Sequence, residues 1–506
     1  MDDQTKRLSV EHHESIGRPS DENPPKSLKA VNTIEGDEAL KVLQAYSGEQ
    51  EWTDKEEASL RRKLDWRLMP VLCATYGLLY YDKAMLSQAA LFGIIDDLGL
   101  DVGNRYSMTA SIFYLGFIVG AYPTMYLAQR YPIERVASGT VILWGLCLVL
   151  TVICRNYQDI YAERFFLGAL ESGISPMFML IVGSFYKKNE QAMRMGIWYS
   201  CTGYVSCISP LINYGFGSIK NNASTWRYMY YFAGGMTIVW GFTLYFVLLP
   251  DPVRAKGFEE RERYIMVARL RTNNSGVRNT HFKGSQAVEL ATDPKFWLMF
   301  SIAFQAPIST FTPIIIRGFG FSGLNALLLV IPIGFYAGSV QLLMPFLAYK
   351  FNNIRAYLYV VAQALTVAAA IMLWQVPLSA RGALLFACIL LPSTGGGYAV
   401  LMGQSLANTA GYTKRSLSSS GLYIGYCLGN FFGPLAFHVS DAPRYPKGFI
   451  VVVVTAIAAG VGIMLYRLLC VWHNRKRDES GIMEGFEHAY EDDVTDMKNP
   501  QFRYIL

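Results

Sequence analysis

The sequence predicts an all-α membrane protein with twelve transmembrane helices in two six-helix bundles. Three observations carry this prediction. The 506-residue chain is 52% hydrophobic and only 17% charged, where a soluble chain carries nearer a quarter charged residues. Its apolar residues gather into stretches of about 20, the length that crosses a bilayer as a helix. A polar, basic stretch in mid-sequence divides those stretches six and six.

The predicted spans are 68–90, 106–129, 136–154, 160–186, 195–217, 228–250, 297–316, 326–349, 355–376, 382–406, 416–438 and 449–472. The chain therefore divides into a tail (1–67), a first bundle (68–250), a linker (251–296), a second bundle (297–472) and a second tail (473–506). Up to Glu57 the first tail holds 14 acidic against 7 basic residues. That composition suits a solvated segment, with a short helix expected around 37–46. The linker carries nine Lys/Arg, and an amphipathic surface helix is expected within 257–271, followed by a loose turn at 273–276. Arg61-Arg62-Lys63, the basic linker and Arg475-Lys476-Arg477 place both termini in the cytosol by the positive-inside rule. Asn222 lies in a glycosylation sequon on the opposite side. Tyr199, Pro210 and Leu211 recur as Tyr423, Pro434 and Leu435 at an offset of 224, in keeping with parallel repeats.

Composition also narrows the function. The net charge of +6 sits in clusters beside apolar segments, which reads as orientation signal rather than nucleic-acid binding. The eight cysteines lie in or beside apolar segments without a Cys-x-x-Cys pair, so they read as small buried hydrophobes. No nucleophile–base set or metal cluster emerges, so neither an enzyme nor a cofactor is expected. No histidine falls mid-span, which argues against a histidine proton relay.

The chemistry is expected where charge enters the apolar spans. Ionisable residues at bilayer depth are costly and mark substrate or proton paths. Asp82 lies 14 residues past Leu68, roughly 20 Å into the first span. Lys83 follows it, pointing about 100° away around the helix. In the fourth span Arg164 and Glu171 stand two turns apart on one face, about 10 Å from each other, with Gly168 between them. Desolvation disfavours the ionised form of a carboxyl group, which suits a group that takes up and releases a proton. A guanidinium stays charged and fits a carboxylate. These are the parts of a proton-coupled anion transporter. Ser172-Gly-Ile-Ser-Pro176 and Ser393-Thr-Gly-Gly-Gly397 are candidate hinges, or small-residue packing sites. Tyr80, Tyr199, Gln305, Tyr423 and Asn430 are uncharged candidates for the wall of a substrate pocket, along with Thr310, Gln404, Asn408 and Tyr426.

At this point the residues carry a resemblance. Leu64-Asp-Trp-Arg-Leu-Met-Pro70 leading into Tyr81-Asp-Lys-Ala84, Phe113-Tyr-Leu-Gly116 with Tyr122-Pro123, and Leu127-Ala-Gln-Arg-Tyr-Pro132 each take part. With Arg164 to Pro176 and Asn499-Pro-Gln-Phe-Arg503, they resemble the anion:cation symporter family of the major facilitator superfamily, in its fungal allantoate-permease-like branch. The resemblance runs from about residue 36 to the end and implies a major facilitator fold. It also implies Asp82 and Glu171 as proton-coupling carboxylates, and Lys83 and Arg164 as anion-side cations. Gln129 stands where the superfamily's loop pattern has Asp. Ser209 stands where the antiporter pattern has Gly before Pro210, which favours symport.

The expected function is import of a small organic anion with protons, the anion being a carboxylated vitamin, ureide or amino-acid derivative. The expected setting is the plasma membrane, as a functional monomer whose partners are the substrate, protons and lipid. The alternatives are export of a secondary metabolite by proton antiport, and a nutrient sensor that binds without transporting.

Overall fold

A computed structural model describes residues 43, 46–48, 51–217, 224–249, 251–255, 257–270, 282–305, 312–321, 326, 328–436, 444–481 and 493–506. Most of the helix expected at 37–46, the turn at 273–276, Asn222 and Thr310 lie outside the described residues.

Helices occupy all twelve predicted spans. The first half comprises Asp54–Ala89, Arg105–Arg130, Ile133–Leu150, Tyr157–Glu171 continued by Ile174–Phe185, Lys188–Gly217 and Thr225–Val247. The second comprises Pro294–Ala303 continued by Thr312–Gly318, Val330–Lys350, Arg355–Gln375, Arg381–Leu390 continued by Ser393–Ala407, Tyr412–Leu435 and Pro446–Glu479. Among the described residues, seven helices are by length and composition apolar enough to cross a membrane. A helix satisfies nearly all of its backbone groups within its own segment, as hydrocarbon demands. The first helix begins before the apolar stretch, at a Thr53 cap that exchanges hydrogen bonds with Glu56. A linker helix, Glu260–Ala268, lies where an amphipathic helix was expected.

The fourth span is interrupted at Ser172-Gly173, as expected of that motif. The tenth differs. Its break falls at Leu391-Pro392, and the three glycines lie inside Ser393–Ala407. Proline at the start of a helix costs no hydrogen bond, whereas in mid-helix it removes one, so Pro392 sets the boundary. A Cβ on Gly396 would come within 2.5 Å of Val340, and one on Gly397 within 3.0 Å of Ala362. Those glycines admit close neighbours rather than loosening the helix.

The halves meet along two seams. In one, Gly203 of the fifth span faces Gly338 and Gly334 of the eighth; a Cβ on Gly203 would stand 2.0 Å from the Gly338 backbone nitrogen. In the other, Phe117 of the second span stacks on Tyr423 of the eleventh (centroids 6.4 Å apart), and the Ser111 hydroxyl donates to the Phe431 carbonyl.

One end of the molecule is sealed and carries the carboxyl-terminal tail. There Gln129, in the last turn of its helix, donates to Thr413 across the halves (2.9 Å) and bridges that end. Arg355 donates to the carbonyls of Lys188 (3.3 Å) and Gly403 (3.4 Å). Asp496 of the tail, fully buried, meets Lys414 at 2.8 Å and Lys295 at 3.0 Å. Phe502 lies under Lys188 Nζ, 3.4 Å from ring centre to nitrogen. On the first half, the pairs Arg61–Glu190, Lys187–Glu57 and Arg194–Asp65 brace the same end.

Candidate site: a central cavity with one cation

Between the seams lies a cavity of about 1710 Å³, a volume that includes space open to solvent. Its lining includes Ser87, Gln88, Thr312, Val330 and Val452, near helix ends remote from the tail. The cavity therefore opens away from the sealed end. Its floor is aromatic: Tyr199 and Tyr398 lie 5.7 Å apart and Tyr398 and Tyr426 5.1 Å apart, with Tyr76 beside Tyr199 at 5.9 Å.

Among the described lining residues, Lys83 carries the one formal charge. Its Nζ sits 5.3 Å from the ring centres of both Phe113 and Phe117. Ring faces attract a cation without neutralising it, so Lys83 keeps its charge available to a ligand. The second span can carry those rings there because it crosses the fourth at backbone contact. A Cβ on Gly168 would stand 1.9 Å from the Phe113 carbonyl, and one on Gly116 1.9 Å from the Phe165 carbonyl. Gly168 thus accommodates a neighbouring helix.

Behind that wall the first bundle buries Asp82, Glu163, Arg164 and Glu171. Asp82 and Glu171 are each fully buried. Thr237 donates to Asp82 Oδ2 at 3.4 Å, and Asp82 Oδ1 and both oxygens of Glu171 have no hydrogen-bond partner among the described residues. An unpartnered carboxyl so placed is costly to bury.

Arg164 is placed differently from the expectation that it meets the anion. It does not line the cavity. Its Nε lies 3.5 Å from Glu163, and its Nη2 donates to the Tyr230 hydroxyl. Glu163, which the sequence reading passed over, also accepts from Thr151 at 2.9 Å. The missed signal was a second charge beside Arg164 inside an apolar span.

Of the uncharged candidates, Tyr80, Tyr199 and Gln305 line the cavity. Tyr423 is buried beneath it, its hydroxyl on Met402 Sδ at 3.1 Å, and Asn430 donates to the Tyr426 carbonyl; neither is a lining residue. Asn408 is far from the cavity, bonded to Tyr466 and to Ile505 of the tail. The lining also includes Gln88, Gln341, Gln363 and Thr394. Gln341 is the lone amide of its span and Gln363 lies in the apolar interior of its own, a signal readable in sequence. Ser209, buried in the first half, accepts from Gln88 at 2.7 Å.

The sequence profile described as Major Facilitator Superfamily matches residues 72–434. Allantoate permease of Saccharomyces cerevisiae is 29% identical over 499 residues, covering 93% of this chain and 90% of its own. The thiamine pathway transporter THI73 of the same yeast is 31% identical over 510 residues, covering 95% of each chain. Among solved structures, the proton:xylose symporter XylE superposes with a TM-score of 0.62 at 14% identity, over 81% of this chain and 96% of that one.

Proposed function

The chain belongs to the major facilitator superfamily, in its fungal allantoate-permease-like branch, and from that premise we propose that it imports a small organic anion together with protons. It is a multi-pass membrane transporter. The observation that carries the finer reading is the division of charge. Among the described lining residues Lys83 is the one cation, and Asp82 and Glu171, buried with unpartnered oxygens, stand behind it in the same bundle.

Lys83 attracts the anion; the tyrosine floor receives its flat, uncharged part. Asp82 and Glu171 take up protons while the cavity is open to the outside and release them on the cytosolic side, so that substrate and proton cross together. Arg164 acts through the bundle, holding Glu163 and Tyr230. The halves rock about the glycine seam, which exposes the site to each side in turn. In this assignment both termini are cytosolic, the sealed end faces the cytosol, the plasma membrane is the setting, and a monomer suffices. Symport suits Ser209, whose hydroxyl accepts from Gln88 where the antiporter pattern has glycine.

Cells expressing wild type or Glu171→Gln, incubated in acidic medium with labelled allantoate, nicotinate, pantothenate, biotin and cysteate, test this. Accumulation of one anion that collapses with a protonophore and in Glu171→Gln is expected. Accumulation indifferent to both would refute proton coupling through Glu171. A thiamine uptake arm adds a control, since a cation meets Lys83 with no carboxylate lining the described cavity to offset it.

A further inference from the structure

Residues 493–506 form no helix, yet Asp493, Asp496, Asn499, Phe502 and Tyr504 are buried. Their polar groups are tied to the second half. Asp493 accepts from the Tyr412 backbone nitrogen at 2.7 Å, and Thr495 donates to Glu289 at 2.9 Å. Asp496 holds Lys414 and Lys295. The Tyr504 backbone exchanges hydrogen bonds with the Asn474 side chain, and the Ile505 backbone does the same with Asn408. The second half therefore carries this tail with it. Phe502 is placed differently. Arg477 of the last helix donates to its carbonyl, but its ring, 1% exposed, lies under Lys188 at the head of the fifth span, in the first half. The halves also touch directly at that place. Arg355 of the ninth span donates to the Lys188 carbonyl at 3.3 Å, and a Cβ on Gly403 of the tenth would stand 2.8 Å from the Ala192 Cα, one turn along the fifth span. Gln404, next to Gly403, donates to the Ile505 carbonyl at 3.4 Å.

Opening the sealed end parts Lys188 and Ala192 from Arg355 and Gly403, and the same movement draws Lys188 off the Phe502 ring. Exposing a buried aromatic side chain is costly, so the ring favours the state in which this end is shut. Its backbone stays anchored to the second half, which keeps the ring in register for the return. A residue that only filled the second half's own core would end among second-half side chains; Phe502 ends on the first half. We propose that the carboxyl-terminal tail is a strap across the sealed end, carried by the second half and closed by Phe502 on Lys188, which biases the transporter toward the state whose cavity opens away from the tail. This rests on the rocking of the halves proposed above. Release of the tail from Lys295 and Lys414 withdraws the ring and lets the sealed end open more often, which makes the tail a point of control over the transport cycle.

The test is hydrogen–deuterium exchange of the purified full-length protein in detergent, read at both ends of the molecule. Wild type is compared with Phe502→Ala and with Gln129→Ala, which breaks the hydrogen bond to Thr413, a link across the same end that the tail does not make. In Phe502→Ala the amides of 188–196 and 400–408, at the sealed end, should exchange about tenfold faster, burial of one aromatic side chain being worth about that factor. Those of 85–90 and 328–333, at the cavity mouth, should slow, because the two ends open in turn. Loosened local packing would speed the sealed end alone, so the opposite movement of the two ends is what identifies a strap. Phe502→Leu removes less apolar bulk and should move both ends in the same senses by less; it decides the matter if Phe502→Ala does not fold. Reciprocal change in Gln129→Ala but not in the Phe502 variants overturns the strap and leaves the rocking standing. Reciprocal change in none of them overturns both.

Discussion

Gly203→Ala places a methyl group in the tightest contact between the two halves. The added Cβ would lie 2.0 Å from the Gly338 nitrogen and 2.7 Å from the Gly334 carbonyl oxygen, where ordinary contact begins near 3.4 Å. Both obstacles are backbone, so no rotamer change relieves them. The fifth and eighth spans must separate by about 1.4 Å along that line. Overpacking of this kind costs about 1–3 kcal/mol, which in a body this large lowers the melting temperature by several degrees. The seam is also the axis of the proposed rocking, so transport should fall further than stability. Gly215→Ala is the matched control: it lies in the same helix with nothing within 4 Å of the added carbon, and removing a helical glycine is worth roughly 0.5–1 kcal/mol in its favour. Apparent melting temperature and uptake of the transported anion, measured on both variants, decide the matter. Gly203→Ala as stable and as active as Gly215→Ala would refute the backbone contact and the pivot built on it.

Lys83→Met should raise the KM for the anion at least tenfold with little loss of stability, because no ion pair breaks among the described residues; an unchanged KM counts against its contact with substrate. Arg164→Met leaves Glu163 as a buried charge without its partner and should cost about 3–5 kcal/mol, seen as a lowered melting temperature; a variant of wild-type stability would contradict the pairing. Asp496→Asn removes the shared carboxylate of Lys295 and Lys414. Limited proteolysis should then cleave the carboxyl-terminal tail readily, and a tail as resistant as wild type would show that this cluster does not hold it. Burial, with Arg415 and Arg477 adding to it and Asp496 opposing, brings the Lys188 ammonium down to about 7. Since that value lies below the ordinary lysine value, burial costs stability in full below about pH 7, and the cost is relieved as pH rises toward 10.5. Lys188→Met should therefore outlast wild type on heating near pH 7 by a margin that shrinks as pH rises; a constant margin would refute the assignment.

The sequence by itself determined the spans, the division into two halves and the placement of charge within apolar helices. Hydrocarbon enforces those features on each segment separately. A run of some 20 apolar residues is a helix whatever lies beside it, and Asp82, Lys83, Arg164 and Glu171 are conspicuous because charge there is costly. What the sequence did not determine was which neighbour each side chain meets. Helical periodicity put Arg164 and Glu171 on one face, but the packing of the fourth span turns Arg164 to Glu163 and Tyr230 and leaves Lys83 as the cation at the cavity. Gln341 and Gln363 are 22 residues apart on different helices and line one cavity only because the eighth, ninth and tenth spans pack together. The same holds for Gly203 against Gly338, and for Phe502 beneath Lys188, more than 300 residues apart in the chain. Local propensity and the bilayer act along one segment at a time; the cavity is a property of how segments far apart in sequence cross, and only the tertiary structure decided that.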